Sequence, residues 1–63
     1  MKITVVHNDT WDWCGIYVDG TLFREGHSLN EIDGLDASGI LYTYIHNYKM
    51  DESGVLPYEE ASL

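Results

Sequence analysis

Basic side chains are almost missing from this sequence. Three Lys and Arg stand against eleven Asp and Glu, a formal net charge of −8. Affinity for DNA or RNA depends on Lys and Arg displacing counterions from the phosphate backbone, so direct nucleic-acid binding is disfavoured. Docking on an anionic membrane surface is disfavoured for the same reason. A basic protein surface, by contrast, would be attracted and steered. Cysteine occurs once, at Cys14, which excludes an internal disulfide and any multi-cysteine zinc cluster. A lone thiol fits a reducing compartment. No run of about 18 apolar residues exists, so no membrane span is expected. With 63 residues there is room for one domain, 1–63. A chain this short buries only ~60% of its unfolded surface, and a partner or a second copy is the expected support.

Chemical motifs are missing too. No Gly-rich phosphate loop, Ser-His-Asp arrangement or paired catalytic carboxylate stands out, and Glu59-Glu60 are neighbours in sequence only. His7, Asp9, His27, His46 and Cys14 are potential metal ligands, but their spacing matches none of the usual patterns. A catalytic thiol needs an electropositive setting, and the predicted cross-strand neighbour of Cys14 is Glu25. The expectation is a protein that is not an enzyme, with no catalytic residue, metal or cofactor. Met1–Val6 alternates like a strand and lacks the apolar region and cleavage site of a signal peptide. The chain is therefore expected to be cytoplasmic and complete.

What is present is a hairpin. Trp11–Gly26 holds two alternating apolar runs around Asp19-Gly20, the strongest short-range hairpin signal, because both turn residues must take positive φ. Counting outward pairs Val18 with Thr21, Tyr17 with Leu22, Ile16 with Phe23, Gly15 with Arg24 and Cys14 with Glu25. One face then carries Cys14, Ile16, Val18 and Phe23; the other carries Trp11, Trp13, Tyr17, Leu22 and Arg24. The strands are predicted at 2–7, 11–18 and 21–25, with Asn8-Asp9-Thr10 turning between the first two.

Ser28-Leu29-Asn30-Glu31 matches a capping box. Leu29, Ile32 and Leu35 then repeat at helical spacing over 29–38, and Gly39 is a natural stop. This helix is expected to pack on Ile16, Val18 and Phe23. Residues 40–49, ILYTYIHNYK, read as a fourth strand. Leu41 and Ile45 would complete the core; Ile40, Tyr42, Tyr44, His46 and Tyr48 would form a tyrosine ladder on the opposite side. The tail, 51–63, is expected to be either extended or a single helical turn after Pro57. The fold class is α+β: a small antiparallel β-meander with one short helix on one face and a fourth strand (β-β-β-α-β).

Trp11, Trp13, Tyr17, Tyr42, Tyr44 and Tyr48 are more large aromatics than a short tail can cover, and Tyr and Trp dominate interface hot spots. They are the candidate partner-binding residues, with Asp12, Glu31, Asp33, Asp36, Glu59 and Glu60 as acidic companions. A homodimer or a partner surface is expected.

The whole chain resembles the small acidic proteins that phages make to inhibit bacterial defence or host enzymes. Length, charge, a meander with a short helix, and aromatic-rich strands carry that resemblance. It implies a non-enzymatic inhibitor acting in the host cytoplasm on a host protein with a basic surface. Asp9, Asp12, Glu25, Glu31, Asp33, Asp36, Asp51, Glu52, Glu59 and Glu60 could mimic a phosphate track in the groove of a nucleic-acid-processing enzyme. Alternatively, the aromatic face could dock and acidity only steer. Two other readings stay open: a sponge that stacks a nucleotide signal between aromatic rings, with Lys2, Arg24 and Lys49 for its phosphates, and a structural accessory subunit.

Overall fold

The computed structural model describes residues 1–63. Its elements are β1 (Ile3–Asn8), β2 (Cys14–Val18), β3 (Thr21–Gly26), α1 (Asn30–Ser38) and β4 (Thr43–Tyr48). The α+β class and the β-β-β-α-β order read from the sequence are those of the structure. The four strands form one mixed sheet in the order β3-β2-β1-β4. β1, β2 and β3 are an antiparallel meander, and β4 lies parallel to β1. The chain from β3 to β4 thus crosses the sheet, because parallel strands cannot be joined by a tight turn.

Asp19 (φ 52) and Gly20 (φ 92) both occupy the left-handed region that the hairpin turn demands. Beyond the turn, the pairing departs from simple counting. Ile16 pairs with Arg24 and Tyr17 with Leu22, so Phe23 is an extra residue, a β-bulge. Phe23 therefore leaves the core and is 60% exposed. Cys14 faces Gly26 and Gly15 faces Glu25. Arg24 moves to the helix side, where it pairs with Glu31 at 3.0 Å. That ion pair draws Glu31 away from a capping box. The residue preceding α1 is Leu29, and no side chain caps the helix. The C-terminal end is as expected, with Gly39 in the left-handed conformation (φ 75).

Each face of the sheet carries its own small core. On the helix side, Ile3, Val5, Cys14 and Ile16 bury with Leu29, and Val18, Ile32, Leu35, Tyr42 and Tyr44 pack around them. On the other side, Val6 and Tyr17 bury with Leu56 of the tail, ringed by Trp13, Leu22, Ile45, Tyr48, Met50 and Leu63. The tail is tied down by backbone bonds. Leu22 N–H donates to the Tyr58 carbonyl (2.8 Å), and Glu60 N–H to that of Gly20 (2.9 Å). A closing 3-10 turn spans Glu60–Ser62.

The fourth strand differs most from expectation. It begins at Thr43, which leaves Leu41 outside the sheet and 93% exposed. Leu41 therefore does not complete the core. Parallel pairing sets Val5 beside Tyr44 and Val6 beside Ile45, so Tyr42 and Tyr44 join the helix-side core while Ile45 faces the tail. A second bulge, with Asn47 at φ 58, turns Tyr48 to the tail side. The tyrosine ladder is thereby broken. No helix is long and apolar enough to cross a membrane.

Candidate functional site

The aromatic residues that alternation places together are divided by the fold. Trp13, Tyr17 and Tyr48 lie on the tail side; Trp11, Tyr42 and Tyr44 lie on the helix side. Tyr17 is fully buried, and its hydroxyl donates to the Pro57 carbonyl. It offers a partner nothing. Trp13 is half-buried, and its indole Nε1 donates to Glu25 Oε1 at 3.0 Å. The same oxygen accepts the Leu56 backbone N–H at 2.8 Å. The bulge at Phe23 made that possible by turning Glu25 to this face. One carboxylate thus fastens both a tryptophan and the tail.

The helix side holds an open groove of ≈ 510 Å³ between α1 and the start of β2, lined among others by Trp11, His27, Leu29, Asp33, Asp36 and Tyr44. Its aromatic wall is built by the loop after β1. Asn8, itself buried, donates from Nδ2 to Asp12 Oδ1 (2.6 Å) and to Thr10 Oγ1 (3.1 Å). Asn8 Oδ1 accepts the Trp13 backbone N–H at 3.1 Å. The clasp forces Trp11 into the left-handed region (φ 64), a conformation that persists only where surroundings over-determine it. Trp11 then covers the imidazole of His7, ring centroids 4.3 Å apart. His7 stacks on Tyr44 with nearly parallel rings 5.3 Å apart, and Tyr44 stacks on His46 at 4.3 Å. Tyr42 continues the row at 5.9 Å from Tyr44.

Two features tune this wall. Burial first, and then the neighbouring His46, lowers the pKa of His7, which favours a neutral ring. The Tyr42 hydroxyl donates to Asp36 Oδ1, and that bond pushes its pKa up to about 12. Asp33 and Asp36 reach the groove from α1. Trp11 keeps 55% of its surface exposed at the rim.

The remaining acidic candidates have other engagements. Asp12 braces the loop, and its hydrogen bonds from Thr10 and Asn8 hold its carboxyl below the usual range. Glu31 pairs with Arg24. Glu59 bridges to Thr21 by backbone. Glu60 Oε2 accepts from Thr4 Oγ1 (2.9 Å) and lies 3.0 Å from Lys2 Nζ. Of the twelve candidate partner-binding residues, the groove gathers Trp11, Tyr44, Asp33 and Asp36. His7 and His46 belong to the same wall. Their parity with Val5 and Tyr44 carried that information, but it is readable only once the parallel pairing is known.

Cys14 is buried beneath the groove, its thiol 3.5 Å from the Gly26 carbonyl. Burial, rather than Glu25, pushes the thiol pKa up. No set of three His, Cys, Asp or Glu side chains is arranged to hold a metal ion. Comparison with protein-family models, with curated protein sequences and with solved structures finds no match to this chain.

Proposed function

We propose that the chain acts by binding, without chemistry of its own, as a phage-type inhibitor. It would block a bacterial defence or nucleic-acid-processing enzyme by engaging that enzyme's basic surface. The observation that carries this reading is the helix-side groove, where exposed Trp11 and half-buried Tyr44 stand opposite Asp33 and Asp36. Aromatic faces and carboxylates together suit one kind of visitor, the Lys or Arg side chain of a partner. A cation over an aromatic face gains about 0.5–1 kcal/mol at an exposed site and more when desolvated. The surrounding negative field would steer such a partner in and would exclude nucleic acid itself.

The nucleotide-sponge reading is less well supported. Lys2 and Arg24 are already paired with Glu60 and Glu31, which leaves Lys49 as the one basic side chain without an ion pair.

The test is capture from bacterial lysate on immobilised full-length chain, read by mass spectrometry, with the Asp33→Asn/Asp36→Asn variant in parallel. The expected result is a basic nucleic-acid-processing enzyme held stoichiometrically and inhibited, its retention falling with added salt and in the variant. A co-purified nucleotide with no protein partner would sink the inhibitor reading. So would a captured enzyme that stays active or is indifferent to the two aspartates.

A further inference from the structure

The two outer strands of the sheet are treated differently by the chain. The edge of β3 is partly covered by the tail, through the Leu22–Tyr58 and Glu60–Gly20 bonds and the bridge between Thr21 and Glu59. β4 pairs with β1 alone, and no turn, loop or cap hydrogen bond reaches the backbone of residues 43–48. A bare edge is a template for another strand, and proteins usually guard one with Lys, Pro, inward charge or a bulge; the bulge at Asn47 guards only the far end of β4. Its first four residues, TYIH, contain no Lys, Pro, carboxylate or bulge.

The pattern of charge names the occupant. Ala37–Met50 is the longest stretch of the chain without Asp or Glu, and β4 lies wholly inside it. A basic target gains nothing from a neutral edge. A second copy of a chain with net charge −8 meets the least repulsion where carboxylates are missing. Exposed apolar groups flank the strand: Leu41 is 93% exposed, Ile40 44% and Met1 89%. Leu41 and Met1 border a shallow hollow of ≈ 240 Å³ at the start of β4.

We infer that two copies pair antiparallel along β4, before the bulge at Asn47, with Tyr44 opposite its own counterpart on a two-fold axis normal to the sheet and Thr43 opposite the second copy's Ile45. The result is one continuous eight-stranded sheet with both helices on one face and both tails on the other. Such an isologous contact closes after two copies. It stands apart from target binding, because its readout is mass and needs no target.

The experiment is sedimentation velocity of the full chain over a range of concentration, with Thr43→Glu and Phe23→Ser as variants. Both positions are exposed, and circular dichroism checks that each variant is folded. The wild type should sediment at twice its 7.2 kDa chain mass. Thr43→Glu, which sets two like charges near the axis, should return it to 7.2 kDa, while Phe23→Ser should leave the dimer intact. Amide exchange of Thr43–His46 in the wild type should slow as concentration rises. A monomer at every concentration overturns the inference, as does a dimer lost in Phe23→Ser and kept in Thr43→Glu. A doubled mass without new protection in β4 overturns it as well.

Discussion

Truncating Leu56 should cost this protein a large part of its stability. Leu56 is 4% exposed and is the tail's only buried residue, packed against Val6 and Tyr17. Truncating a buried leucine to alanine costs about 2–5 kcal/mol. A chain of this length has only ~3–9 kcal/mol in total, at ~0.05–0.15 kcal/mol per residue. The structure also predicts a partner for the effect. A Cβ added at Gly15 would lie 2.2 Å from Leu56 Cδ1, while every other neighbouring atom is at 3.5 Å or beyond. Gly15→Ala alone should therefore cost about 1–3 kcal/mol through overpacking. In the Leu56→Ala background the obstruction is gone, and alanine in place of strand glycine should be neutral or gain up to about 1 kcal/mol. The coupling in a double-mutant cycle should exceed about 1 kcal/mol. Urea unfolding followed by tryptophan fluorescence measures all four corners, with Trp13 reporting from the same core. Additive effects, or a Leu56→Ala cost below about 0.5 kcal/mol as at an ordinary surface site, would refute the claim that the tail seals this face.

The other predictions concern the tail and the groove. Burial pushes the Tyr17 hydroxyl from its ordinary pKa of 10.0 up to about 12. A raised folded-state pKa means stability is intact below pH 10 and lost as pH rises toward 12; Tyr17→Phe should make that alkaline loss shallower, the remainder coming from Tyr42 and Tyr44, while costing about 0.5–1.5 kcal/mol at neutral pH for the missing bond to Pro57. Lys2, and then Thr4, hold the Glu60 carboxyl below its ordinary 4.5. Its contribution is present above that pH and lost as acid titrates it, so Glu60→Gln should flatten the acid limb of a pH–stability profile. Trp11→Ala should weaken a captured target about tenfold or more in calorimetry, as hot-spot truncation does, with little change in unfolding midpoint because the ring is half exposed.

Local chemistry was legible wherever one short segment decides the outcome. Asp19-Gly20 must turn, Gly39 must end a helix, and the alternation along Met1–Val6 marks a strand. The capping box was legible and unused, because α1 starts one residue late, after Leu29, and Glu31 pairs with Arg24. The aromatic surface was legible as a quantity of rings and not as an arrangement. Trp11 and Trp13 share a parity that has no meaning once Trp11 leaves the strand, and Tyr44 and Tyr48 share one that the bulge at Asn47 cancels.

The sequence by itself determined the element types, the hairpin, the acidity and the excess of aromatic side chains, since propensity, turn chemistry and net charge are properties of short segments and of sums. Only the tertiary structure decided which rings meet. That choice rests on two single-residue bulges and on the parallel docking of β4 against β1. Side chains alternate with a period of two, so one extra residue sends everything after it to the opposite face. No short-range signal in the chain announces where that residue will fall.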